Sequence, residues 1–131
     1  MSSTNEPSSG NSVWVVDDNK EAAFTLSMLL KIKGYQVSTY YSGQDALEAA
    51  ERQQPDAVVL DLGMPGIDGY DTCRLLRQRP RGADVLVIAL SGYGKEEDIR
   101  QSFESGFNAH LVKPVDLVRL IELLENSAPA N

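Results

Sequence analysis

The run Ala57-Val58-Val59-Leu60, closed by Asp61, decides how this chain folds. Three further runs are built the same way: Val13–Val16 leads into Asp17-Asp18, Val85–Leu90 into Ser91, and His110–Val112 into Lys113-Pro114. Short Val/Ile/Leu-rich stretches are the mark of parallel strands covered on both faces. Open α/β sheets place their ligand sites beyond the carboxyl ends of such strands. Three carboxylates, a hydroxyl and an ammonium are therefore expected at one edge of one sheet. Such a cluster can hold a divalent cation and receive a phosphoryl group on a carboxylate.

Helical patterns separate the strands. Asn19–Lys33 sets Ala22, Leu26, Leu29, Leu30 and Lys33 at helical spacing and closes at Gly34, a suitable C′ glycine. Gln36–Tyr40 alternates as an edge strand does, and Gly43–Gln53 is an Ala/Leu/Glu-rich helix stopped before Pro55. The turn-rich stretch Gly63–Gly69 leads into a helix to about Gln78, and Gly82 with its flanking arginines reads as a solvated loop. Lys95–Ser105 is a polar helix with Ile99 and Phe103 one turn apart; Asn108–Val112 is the fifth strand and Asp116–Glu125 the last helix. Parallel strands joined by right-handed helical crossovers give a three-layer, doubly wound α/β sandwich. The order 2-1-3-4-5 sets the four reactive strand ends side by side. It also puts the winding reversal between Asp17/Asp18 and Asp61.

With 131 residues the chain has room for one domain with a two-sided core, and 42% hydrophobic with 24% charged residues is ordinary globular composition. Residues 1–12, rich in Ser, Asn and Gly and lacking an apolar segment, read as a disordered leader rather than a secretory signal. Residues 13–126 are the folded domain and 127–131 a short frayed tail. No apolar run approaches the ~20 residues of a membrane span. The single cysteine, Cys73, fits a small buried helix position and a reducing, cytoplasmic setting. A net charge of −7 disfavours nonspecific binding of nucleic acid or anionic membrane.

Four motifs now carry a resemblance. Val15-Val16-Asp17-Asp18-Asn19, Val59–Gly69, Ala89-Leu90-Ser91-Gly92 and Leu111-Val112-Lys113-Pro114 together resemble the receiver domain of two-component response regulators, over roughly Val13–Glu125. The string Ser91–Asp98 with Ala109-His110-Leu111 is similar, less specifically, to receivers of hybrid histidine kinases. The resemblance implies the flavodoxin-like receiver fold and a phosphorelay function.

Adjacent acids past a buried strand are costly, because like charges raise each other's pKa. N-capping is the plain role for Asp17 or Asp18; Mg²⁺ (or Mn²⁺), which prefers a few carboxylates plus water, removes the cost. The resemblance implies that Asp18 ligates directly, that Asp17 acts mainly through water, and that the Gly63 carbonyl completes the protein's ligand set. Asp61 has a plain role as a turn-initiating residue. As a carboxylate it can also attack phosphorus to form an acyl phosphate, and the family makes the matching aspartate the phosphoacceptor. Lys113 reads as a point charge for phosphate oxygens and for Asp61. The family pattern implies a cis peptide to Pro114, which proline permits. Ser91 has a plain role as a loop hydroxyl; its functional reading is a switch that donates to a phosphoryl oxygen and draws Gly92-Tyr93-Gly94 inward. Gly63 and Tyr93 flank the expected path of hydrolytic water.

His110 departs from the commoner family pattern, which has Phe or Tyr there. A lone strand histidine is usually structural, but this position makes a rotameric, pH-sensitive switch the sharper reading. The expectation is that His110 reorients on phosphorylation.

The implied partners are a histidine kinase or histidine phosphotransfer protein and a downstream target on the fourth-helix, fifth-strand, fifth-helix face. Leu117, Val118, Leu120, Ile121, Leu123 and Leu124 cover more of the last helix than its own core requires, leaving Val118 and Leu123 for a partner or a homodimer. No direct nucleic-acid or membrane contact is expected. Catalysis is confined to the chain's own phosphorylation and dephosphorylation. The chain reads as a single-domain regulator, toward which Met1 leans, or as a receiver cut from a larger kinase. Three rivals fit less well. A haloacid-dehalogenase-like phosphatase places its nucleophile after the first strand with a second acid two residues on. A flavodoxin-like electron carrier has hydroxyls and glycines where Asp17-Asp18 stand. A pseudo-receiver lacks the complete acidic set.

Overall fold

The computed structural model describes residues 11–92 and 94–126. The expected leader (but for Asn11 and Ser12), the tail 127–131 and Tyr93 lie outside the described residues. Strands β1 (Ser12–Val16), β2 (Gln36–Tyr40), β3 (Ala57–Asp61), β4 (Leu86–Ser91) and β5 (Ala109–Val112) alternate with helices α1 (Lys20–Ile32), α2 (Gly43–Ala50), α3 (Gly69–Arg77), α4 (Glu96–Glu104) and α5 (Leu117–Asn126). The strands form one parallel sheet in the order β2-β1-β3-β4-β5, as the strand ends demand. β1 starts at Ser12, one residue before the expected boundary: Ser12 pairs with Gln36 of β2, and its carbonyl accepts from the Asp56 N–H at 2.9 Å.

Alternate strand residues feed two cores. Trp14, Val16, Val58, Leu60, Val87 and Ala89 face α2 and α3; Val13, Val15, Ala57, Val59, Ile88 and Leu90 face α1 and α5. Each fully buried Val, Leu or Ile contributes roughly 1.5–3 kcal/mol, so a one-residue slip would trade one packed core for the other.

Three expectations about the helices need correcting. The buried stripe of α1 is Ala23, Leu26, Ser27 and Leu30; Ala22 is exposed, and Phe24, Met28, Leu29 and Ile32 also reach solvent. The helix begins one residue later than its polar periodicity suggests, since Asn19 is its N-cap and accepts from the Ala22 N–H. On α4, Phe103 is 49% exposed and the buried side chain is Ser102. On α5, Val118 stands free at 69% exposure, but Leu123 packs against the α1/α5 core.

Gly82 is not a solvated loop residue. It is buried at the start of a 3₁₀ turn, Gly82–Asp84, where a Cβ would sit 2.3 Å from the Leu76 carbonyl oxygen. Arg77 closes this region. Its guanidinium donates to the carbonyls of Gly82, Val85 and Gly106 and to Asn108 Oδ1. Asn108 in turn accepts from the Val87 N–H, which holds the entry to β5 against β4. Cys73 lies buried in α3, and burial pushes its thiol up to about 11, so it is an inert packing residue as expected.

Candidate functional site

Parallel register brings the four strand ends to one rim. Val16 pairs with Leu60, so the next residues, Asp17 and Asp61, emerge beside each other. Asp61 pairs with Leu90 and Ser91 with Val112, which places Ser91 and Lys113 on the other side of Asp61. Asp17, Asp18 and Asp61 each offer a carboxylate oxygen within 4.8 Å of the others. Asp17 and Asp61 are buried, whereas Asp18 is exposed. Lys113 Nζ stands 3.2 Å from Asp61 Oδ1 and 3.4 Å from Asp17 Oδ2.

Local backbone fixes each carboxylate. Asp17 Oδ1 accepts from the Asn19 N–H at 3.0 Å, and Asp61 Oδ1 from the Gly63 N–H at 3.3 Å. Neither aspartate of the pair caps α1, because Asn19 takes that role and leaves both for the rim. Burial pushes the Asp17 carboxyl up, and the neighbouring Asp61 charge adds to this; the Asn19 N–H and Lys113 oppose both. For Lys113, burial works against the charged form, but Asp61 and Asp17 outweigh it and raise its pKa. The rim is thus short of positive charge. Three close oxygens of hard, anionic type suit a hard divalent cation.

The Lys113–Pro114 peptide is cis. Ser91 is buried; its Oγ lies 2.8 Å from His110 Nε2, and its carbonyl accepts from the Lys113 N–H at 2.7 Å. His110 Nδ1 lies 3.1 Å from the hydroxyl of Ser102, a contact that strand-end reasoning missed because Ser102 reads as one more polar helix residue. Gly63 occupies the turn after Asp61, with open space where a side chain would start. A groove of about 460 Å³ opens beside the rim, between α1 and the β5–α5 turn. Asp17 and Lys113 stand at its polar end, and Leu26, Leu29 and Leu117 line it. Of the exposed large apolar residues of α1, Leu29 lines this groove, whereas Phe24, Met28 and Ile32, at i, i+4 and i+8, are not among its lining residues.

A doubly wound sheet with an acid pair, a lone acid, a hydroxyl and a Lys-Pro at its strand ends defines a class, and sequence comparison agrees. Residues 13–125 match the family model of the response regulator receiver domain. The chain belongs to that family. It is 36% identical over 113 residues to an uncharacterized 14.6 kDa protein of Leptolyngbya boryana, covering 86% of each. It is 37% identical to the response regulator PleD of Caulobacter vibrioides over 82% of this chain and 24% of that one. Against such longer regulators, then, it spans a fraction of the length. Among solved structures, the receiver domain of sensor histidine kinase PA1611 from Pseudomonas aeruginosa superposes with a TM-score of 0.82 and 31% identity, covering 89% of this chain and 96% of that domain. That structure holds a magnesium ion coordinated in its active-site cleft. Regulators and kinase receivers both stand among the matches, so the hybrid-kinase likeness of Ser91–Asp98 is not singled out. Among the described residues, no helix is long and apolar enough to cross a membrane.

Proposed function

We propose that the chain is a phosphoacceptor, taking a phosphoryl group onto Asp61 from a histidine kinase or histidine phosphotransfer protein and changing its protein contacts as a result. The observation that carries this reading is the Asp17–Asp18–Asp61 cluster with Lys113 paired to Asp61. Asp17, Asp18 and Asp61 would hold Mg²⁺, with the Gly63 carbonyl as a further ligand. The ion, when bound, neutralises charge on the incoming phosphate oxygens. Asp61 then attacks phosphorus as the bond to the donor's histidine nitrogen breaks and that imidazole leaves; Lys113 stabilises the charge on the transferred oxygens, and Ser91 donates to one of them. The chain acts on no external substrate; it is not an enzyme beyond its own phosphorylation and dephosphorylation. The groove between α1 and the β5–α5 turn suits the phosphoryl donor. The α4–β5–α5 face, with Phe103, Val112 and Val118 exposed, suits the downstream target or a second copy. His110 reorients when Ser91 turns to the phosphate. The setting is cytoplasmic.

The test is intact-mass measurement after incubation with Mg²⁺ and a small phosphodonor. Wild type gains one labile phosphate and Asp61→Asn gains none; a wild type that stays unmodified overturns the reading in favour of a phosphate-free binding module.

Metal dependence follows from Asp17. A raised carboxyl pKa in the fold means that stability falls as pH climbs from the ordinary carboxylate value through the raised one. Above the raised value this cost is fully present, and bound Mg²⁺ reverses it. Mg²⁺ at a hundredfold its Kd should add about 2.7 kcal/mol, or roughly 10 °C in Tm for a domain of this size. Asp17→Asn should raise the Tm of the metal-free protein while abolishing most of the Mg²⁺ response. Differential scanning calorimetry with Mg²⁺ and with EDTA reads both.

A further inference from the structure

Ser102 is wholly buried in a helix that, among the described residues, buries no other side chain. Its hydroxyl donates to the Ile99 carbonyl at 2.7 Å, the usual retreat of a serine inside a helix. A hydroxyl has one proton to give. Toward His110 Nδ1, at 3.1 Å, the Ser102 oxygen can therefore only accept. Nδ1 carries the ring hydrogen, and in a neutral imidazole Nε2 is then a bare acceptor. The Ser91 hydroxyl, 2.8 Å away, must donate to it. The polarity of the whole chain, from Ser91 through His110 to Ser102 and the Ile99 carbonyl, is set at its far end.

We propose that Ser102 is a positioning residue: it fixes the His110 tautomer and thereby holds the Ser91 hydroxyl proton away from the carboxylate rim until phosphate arrives. This deepens, and rests on, the reading of Asp61 as phosphoacceptor. To donate to a phosphoryl oxygen, Ser91 must give up Nε2. The ring then loses one of its two bonds and keeps the one to α4. Because Ser102 is the buried anchor of that helix, the ring's rearrangement is delivered to α4 directly.

His110 is the chain's one histidine, so selective ¹⁵N labelling gives an unambiguous spectrum. Above the imidazole titration range, wild type should show a pyrrole-type Nδ1 and a pyridine-type Nε2; the reverse pattern overturns the proposal without any variant. Ser102→Ala should shift both nitrogens toward a tautomer mixture. Loss of one neutral hydrogen bond holding the resting state should also lower the half-saturating concentration of beryllofluoride, measured with Mg²⁺, by about fivefold. In a His110→Phe background the same substitution should change it by less than about twofold, as a double-mutant cycle requires for coupled residues. An equal change in both backgrounds, or unmoved nitrogen shifts, shows a merely structural serine. The nitrogen spectra are taken without phosphate. A chain that accepts neither phosphate nor its mimic sinks the phosphoacceptor reading, while the tautomer pattern still decides the role of Ser102.

Discussion

Lys113→Met lowers the rate of phosphoryl uptake from a small phosphodonor by about 100- to 1000-fold, the usual loss when one preorganised charge-stabilising group is removed. Lys113 is held by two buried carboxylates at 3.2 and 3.4 Å, and they raise its pKa, so it is fully charged at any physiological pH. The phosphoryl group would arrive beside Asp61 with two or more negative charges. With methionine in place, the side chain fills similar space but leaves that charge uncompensated on one side. Lys113→Arg should not restore the rate, because a planar fork cannot occupy the site of a compact ammonium. The same loss of a competing cation should tighten Mg²⁺ binding, read by titration calorimetry. A Met variant within tenfold of wild type would remove Lys113 from the chemistry.

The second large effect is on stability. Gly69→Ala should cost about 3 kcal/mol and lower Tm by roughly 10 °C, the upper range for forcing volume into a closed space. A Cβ at Gly69 would stand 2.6 Å from the Asp61 carbonyl oxygen and 2.7 Å from Leu62 Cα. Both are backbone atoms of the rim, so neither can rotate away. Relief must come from moving α3 outward or moving Asp61. Gly63→Ala is the matched control: with nothing within 4 Å of its Cβ, it should stay within about 0.5 kcal/mol of wild type. Urea unfolding followed through the fluorescence of Trp14, fully buried in the α2/α3 core, separates the two. Equal stabilities would mean that α3 is free to shift at its first turn.

Much of this was legible beforehand because parallel strands carry their signal in few residues. Four apolar runs ending in Asp17, Asp61, Ser91 and Lys113 determine which side chains share the rim once the strands pair in order. Helix faces were harder. In α1, nearly every apolar residue satisfies some helical spacing, and the choice of Ala23/Leu26/Leu30 over Ala22/Leu29 is made by packing against the sheet. Ser102 was invisible for a different reason. Its role comes from a contact with His110, on another element, and local pattern holds no trace of that. Gly82 likewise looked like a linker until the Arg77 guanidinium filled the space around its carbonyl.

The near absence of packing on α4 has a consequence for how such a chain diversifies. Ser102 is the one buried residue among the nine of that helix, with Asp98 and Ile99 half-buried, so the other positions are largely open to solvent. Mutations there can accumulate with little loss of folding, and new recognition specificities can be written on the helix while the residues of the carboxylate rim stay as they are. Divergence between paralogues and engineered rewiring should both concentrate on this segment, with Ser102 the position they leave alone.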